Sequence, residues 1–243
     1  MRARILIISS LCFASIAKAQ TSVETPVAKP ANIVTRENWG SKPDPIPDSR
    51  RHRPKWITIH HAGVLWTNSQ DPAQFVRNMQ SWGKKRPQLE KPPMDTFWPD
   101  LPYHYLIAPD GSIFEGRPLE YEPESNTKYS LAGNINVEMM GDFNRQRPSP
   151  AQLESLVRIT AWLMQELKID AERVRTHRDA APGQTECPGR DFYRYMTDGQ
   201  FMGWVETVRG GDKLRIDPGP PLTGEPAGPT ELITKTRQPK KAA

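Results

Sequence analysis

An α/β fold, a single domain with a central mixed β-sheet flanked by helices, is what this sequence predicts. Short apolar, β-branched runs at residues 55–61, 103–108, 112–116, 135–140 and 173–176 have the length and composition of strands. Stretches at 72–82, 150–168 and 190–205 between and after them suit helices, most clearly 150–168, where apolar residues recur at helical spacing. The 243 residues suit one compact domain with extensions better than two domains.

Taken in order, residues 1–19 read as a secretory signal peptide. Arg2 and Arg4 precede a short apolar run from Ile5 to Ile16, and Ala17-Lys18-Ala19 is a small-x-small cleavage site. The run is too short to span a bilayer comfortably, and no later segment is apolar enough to do so. Residues 20–32 are expected to be a linker, 33–207 the folded domain, and 208–243 a Pro-rich tail, flexible or draped over the surface. The chain has 25 prolines, and those between 42 and 54 mark an extended or looped approach to the first long strand.

Lys55–His61 is that strand. Tyr103–Ala108 and Ser112–Gly116 pair around the turn Pro109-Asp110-Gly111, and Ile135–Met140 closes at Gly141-Asp142. In the helix at 150–168, Ser149 is placed to cap, Pro150 suits the first position, and Gln152 would complete a capping box. Leu153, Leu156, Val157, Leu163, Met164 and Leu167 form its core stripe. Arg173–Thr176 is a short strand that delivers His177, and 190–205 forms a last helix packing Phe192, Tyr195 and Trp204.

Charge narrows the function classes. Lys and Arg number 33 against 28 Asp and Glu; removing Arg2, Arg4 and Lys18 with the signal leaves 30 against 28, a net +2. That is too mild a balance for a nucleic-acid partner, which needs a concentrated basic face. It is compatible with anionic cell-envelope material.

The two cysteines are Cys12, inside the signal segment, and Cys187. An exported chain would therefore keep one thiol with no disulfide partner, an arrangement that calls for another occupant. Zinc takes imidazole nitrogen and thiolate sulfur in a tetrahedron, with a fourth position open in catalytic sites. His177 lies ten residues before Cys187, and His60-His61 end a strand. Alternation puts His60 and His61 on opposite faces, so only one can join such a site; the strand does not say which. Glu138 is a carboxylate in an apolar strand, which is costly unless it is paired or used.

Four ordered motifs carry a resemblance. They are Ile33-Val34-Thr35-Arg36-Glu37-Asn38-Trp39-Gly40; Trp56-Ile57-Thr58-Ile59-His60-His61; Pro102-Tyr103-His104-Tyr105-Leu106-Ile107 with Asp110-Gly111 and Glu115-Gly116-Arg117; and His177-Arg178-Asp179 with Thr185-Glu186-Cys187-Pro188-Gly189. Together, from Ile33 to Tyr195, they resemble the zinc-dependent N-acetylmuramoyl-L-alanine amidases of the amidase 2 type. That group includes the peptidoglycan recognition proteins. The resemblance implies Zn2+ held by His60, His177 and Cys187, with His61 a packed residue on the far face. It implies that Tyr103 lies near the reacting water, that Glu138 transfers a proton, and that Thr185 helps stabilise the oxyanion. A neutral threonine there offers less charge stabilisation than a lysine would.

The implied function is an exported, monomeric hydrolase. It would cleave the amide between N-acetylmuramic acid and L-alanine in peptidoglycan or muropeptides. The alternatives are a receptor of the same fold without catalysis, and a cysteine hydrolase with Cys187 as nucleophile and His177 as base. The segment Lys84–Pro102 is expected either to raise Phe97 and Trp98 as a groove wall or to fold onto the surface. His104 is read as structural or groove-lining, and His52 as solvated.

Overall fold

The computed structural model describes residues 26–85, 97–220 and 222. The elements are β1 (Ile33–Val34), β2 (Trp56–His61), α1 (Pro72–Lys85), β3 (Tyr105–Ile107), β4 (Ile113–Glu115), β5 (Asn134–Met139), α2 (Pro150–Leu167), β6 (Val174–Thr176), α3 (His177–Ala180), α4 (Arg190–Thr197) and α5 (Gln200–Arg209). Short 3-10 turns lie at Asp48–Arg50 and Ala171–Arg173. The expected signal peptide at 1–19, with Cys12, lies outside the described residues.

The six strands form one mixed sheet in the order β1-β4-β3-β5-β2-β6. Only the β3–β4 hairpin is antiparallel; every other pair is parallel. The central strands β2 and β5 are buried along nearly their whole length, as parallel strands covered on both faces must be.

The two faces differ in chemistry. Ile57, Ile59, Ile135, Val137, Met139, Tyr105 and Ile107 join Leu153, Leu156, Val157 and Leu163 of α2 in the main core, with Phe192, Phe201 and Val205 from α4 and α5. Burial of each such aliphatic side chain contributes about 1.5–3 kcal/mol. On the opposite face, Leu106, Ala108 and Phe114 pack with Trp39, Val76 and Leu101 beneath α1. The remainder of that face is polar: Thr58 pairs in register with Asn136, and His60 with Glu138. The period-two alternation therefore lays a buried polar stripe along the floor of the sheet.

Ser149 caps α2, its hydroxyl accepting from the Gln152 amide at 3.0 Å. The expected capping box is only half formed. The Gln152 side chain instead donates to the carbonyls of Ile107 and Met140 at 2.8 and 3.0 Å. It fastens the ends of two strands rather than the cap.

The last helix, expected as one piece over 190–205, is two. Asp198 ends α4 and Gly199, at φ 77°, takes the left-handed position after it. Of the expected tail, flexible or draped over the surface, the described residues up to 220 lie draped on the domain. Leu214 and Ile216 pack on the core. The Pro218 carbonyl accepts from Arg147, Arg194 and the Tyr195 hydroxyl at 2.8, 2.8 and 2.9 Å. Residues 26–32 are also tied down: the Val27 amide donates to Gln165 Oε1 at 2.8 Å, and Asn32 donates to the Gly111 carbonyl at 2.6 Å. Specific donors and acceptors on the domain override a linker-like composition in both places.

Candidate metal centre

Among the described residues, His60, His177 and Cys187 form a buried cluster. One ligand atom from each lies within 4.8 Å of the others. His60 is the fifth residue of β2 and projects into the polar stripe. Its ring centroid lies 4.4 Å from that of His177, and its Nδ1 lies 3.8 Å from Cys187 Sγ.

His177 is the first residue of α3. Thr176 caps that turn, sharing a reciprocal capping box with Asp179. The pairing of Ile59 with Thr176 fixes the height at which His177 leaves the sheet. The Arg178 amide donates to the Cys187 carbonyl at 2.8 Å, joining the His177 turn to the cysteine loop.

His61 turns to the far face. Its Nδ1 accepts the Phe143 amide at 3.1 Å and its ring packs on Phe143, with centroids 5.9 Å apart. Only its backbone serves the cluster, the His61 amide donating to Cys187 Sγ at 3.2 Å.

The donor set suits a cation. Burial keeps both cluster histidines neutral, with His60 well below the usual imidazole range and His177 lowered to about 4. Burial also pushes the Cys187 thiol well up. That is the reverse of what a free cysteine nucleophile needs, and a positive charge beside the sulfur is what would make a thiolate here. Two neutral imidazoles and a buried sulfur with no disulfide partner match zinc coordination.

Glu138 stands beside His60 in the sheet with no exposed surface. Burial raises its carboxyl well above the usual carboxylate range, and the nearby Tyr103 hydroxyl partly offsets that. Neither carboxylate oxygen meets hydrogen-bond geometry with any protein donor. Tyr103 is half-buried and closes the other side, its ring centroid 5.2 Å from His60. Thr185 is half-exposed, its hydroxyl accepting from the Cys187 amide at 3.0 Å and keeping a proton to donate.

Two backbone clamps place Tyr103. The Arg117 amide donates to the Tyr103 carbonyl at 2.8 Å, and the Gly116 amide to the His104 carbonyl at 2.8 Å. The approach is so close that a Cβ on Gly116 would collide with the Tyr103 carbonyl oxygen.

His104 is structural. Its Nδ1 accepts the Asn136 amide and its Nε2 donates to the Tyr121 carbonyl, each at 2.9 Å. His52 is bonded rather than merely solvated. It accepts from the Gly133 amide at 2.8 Å, contacts the Leu119 carbonyl at 2.9 Å, and stacks on His104. The Pro-rich loop that carries it is pinned to the sheet, so local composition misled. Trp98 is buried against Trp82 and Gly83 of α1, whereas Phe97 remains exposed; residues 86–96 lie outside the described residues.

Sequence reasoning missed Ser125, Thr127 and Asn136. Thr127 Oγ1 lies 2.6 Å from His177 Nε2, with Ser125 Oγ at 3.3 Å. The loop that carries Ser125 and Thr127 has no periodic pattern to mark it. Asn136 could have been read from the alternation Asn134, Asn136, Glu138 along β5.

Comparisons with known proteins give the family and the fold. The family model described as N-acetylmuramoyl-L-alanine amidase, Amidase_2, matches residues 50–190, more than half of the chain. Peptidoglycan-recognition protein SD of Drosophila simulans is 24% identical over 182 residues, covering 72% of this chain and 89% of that protein. Peptidoglycan-recognition protein LB of Drosophila melanogaster is 26% identical over 186 residues, 74% of each chain. Among solved structures, the amidase LysC from Clostridium intestinale URNW aligns with a TM-score of 0.51 at 24% identity, covering 69% of this chain and 97% of that one. The complex of tracheal cytotoxin with the ectodomains of peptidoglycan recognition proteins LCa and LCx aligns with a TM-score of 0.56 at 23% identity, covering 68% and 94%. The sheet order, the matched span and these relatives agree: the chain belongs to the Amidase_2 family of N-acetylmuramoyl-L-alanine amidases.

Proposed function

We propose that this protein is an exported, zinc-dependent amidase. It hydrolyses the bond between N-acetylmuramic acid and L-alanine in peptidoglycan or its soluble fragments, and it acts as a monomer. The observation that carries the reading is the buried His60, His177 and Cys187 cluster beside a buried carboxylate, Glu138, with the Tyr103 hydroxyl near it.

His60, His177 and Cys187 would hold the zinc, which when bound supplies Lewis acidity and lowers the pKa of water toward neutrality. Glu138 takes the proton of the attacking water. Its place beside His60 in the sheet, with the Tyr103 hydroxyl near it, suits a group that accepts and then returns a proton. It delivers that proton to the alanine nitrogen as the carbon–nitrogen bond breaks. The Tyr103 hydroxyl donates to the lactyl carbonyl oxygen as negative charge grows there, and Thr185 offers a second, neutral donor. The substrate class is supported by relatives named for peptidoglycan recognition and by a neighbour solved with tracheal cytotoxin. The N-terminal sequence pattern supports export.

Incubating the purified, zinc-loaded chain with defined muropeptides should release free stem peptides, identified by mass spectrometry. Cleavage only between sugars, or only within the peptide, would overturn the reading. A receptor without catalysis would bind the same muropeptides and leave them intact.

A further inference from the structure

Each histidine of the cluster has a second ring nitrogen, and that nitrogen's partner decides which one is free for a metal. For His177 the occupied nitrogen is Nε2. Thr127 Oγ1 sits 2.6 Å from it, and Ser125 Oγ is 2.9 Å from Thr127 Oγ1. Nδ1 is therefore the nitrogen left to bind.

For His60, Nδ1 is the nitrogen facing Cys187 Sγ, at 3.8 Å. Its Nε2 is buried and without a hydrogen-bond partner of good geometry. Asn136 shares the face of the sheet and lies one side-chain step away, since Thr58 pairs with Asn136 and His60 with Glu138. Asn136 has no exposed surface, and its Oδ1 is likewise buried without a partner. Its amide nitrogen is committed to the Tyr129 hydroxyl at 3.3 Å, which turns Oδ1 away as an acceptor. Asn136 is also the neighbour that influences His60 through a side-chain hydrogen bond. Each orphaned atom is the partner the other lacks, and leaving both unpaired would be costly.

We propose that Asn136 and Thr127 are positioning residues that set the tautomer of both histidines. Asn136 Oδ1 takes the His60 Nε2 proton and Thr127 Oγ1 takes that of His177, so both rings present Nδ1 toward Cys187. This rests on the zinc reading above, but the tautomers exist with or without the metal. The opposite tautomer at either histidine would put an N–H where a lone pair is needed.

Long-range 1H–15N correlation spectra of the 15N-histidine-labelled full chain at pH 7.5, first without zinc, should show His60 and His177 as Nε2–H tautomers. Adding zinc should then shift Nδ1 of both. An Nδ1–H tautomer at either ring, or a metal shift on Nε2, overturns the inference. In parallel, Asn136→Leu and Thr127→Val should weaken zinc binding about 10–100-fold by competition with a chromophoric chelator. Asn136→Asp and Thr127→Ser keep an acceptor and should stay near the parent value. Folded Leu and Val variants that match the parent affinity would also overturn it. A parent chain that takes up no zinc would sink the amidase reading alone, because the metal-free spectrum still decides the tautomers.

Discussion

Arg117 grips Glu124 with both terminal nitrogens at 3.1 Å, and neither side chain has any exposed surface. The same guanidinium donates to the carbonyls of Leu101 and Glu122. One residue thus joins the segment that runs into Tyr103 to the segment that runs into Ser125 and Thr127. Removing Glu124 leaves the buried Arg117 guanidinium without its carboxylate. We expect Glu124→Gln to cost about 3–5 kcal/mol in urea unfolding, and Arg117→Met less, because Glu124 keeps Arg50 at 3.1 Å. A midpoint unchanged from the parent would show that the pair is dispensable.

The two adjacent histidines of β2 should behave oppositely. His60→Ala and Cys187→Ser are expected to lose stoichiometric zinc while keeping the native circular-dichroism spectrum. His61→Ala should keep the zinc and lose about 1–3 kcal/mol of stability, because the buried Phe143 amide loses its acceptor. Metal content measured alongside thermal melting separates the two. Zinc lost from the His61 variant and retained in the His60 variant would exchange their assignments.

Glu138→Gln keeps the volume and removes the proton acceptor. Turnover of muropeptide should fall by about 10²–10⁴-fold, with zinc content unchanged. Folding stability should hold or rise, since the carboxyl is buried without a satisfying donor. Full activity in this variant would move the proton-transfer role elsewhere.

Stability should fall with acid. Burial lowers His104 to about 3 and His61 to about 4, whereas both titrate near 6.5 in an unfolded chain. Between those values the unfolded state binds protons that the folded state refuses, so stability rises with pH across the window. It is complete above about pH 6.5 and falls as pH drops toward 4, by about 1.4 kcal/mol per unit for each histidine. Urea midpoints at pH 7.5, 6 and 5 measure this. A flat profile would mean that these rings are not held neutral by the fold.

A chain ending at Gly211 loses Leu214, Ile216 and the Pro218 carbonyl that Arg147, Arg194 and Tyr195 share. It should melt well below one ending at Leu222. Coincident melting curves would show that the strap adds nothing.

Much of the fold was legible because strand and helix periods differ. The stripe on α2, the hairpin turn at Asp110-Gly111 and the run into His177 all stand in the sequence. Less legible was anything set by register. Nothing within Trp56–His61 tells His60 from His61; the pairing with Glu138 and the Phe143 amide make the distinction, and both come from distant segments. The loop carrying Thr127 has no period to betray it. The break at Asp198-Gly199 was written locally, but the apolar positions on either side continue across it.

Gly116 has no functional group, yet the Tyr103 carbonyl occupies the space where its side chain would be. A saturation scan scored on muropeptide cleavage should therefore find position 116 as intolerant as His60 or Cys187, and for the opposite reason. There the chain needs particular atoms, and here it needs their absence. Sensitivity alone will not pick out the chemistry of this site; metal retention in the inactive variants will.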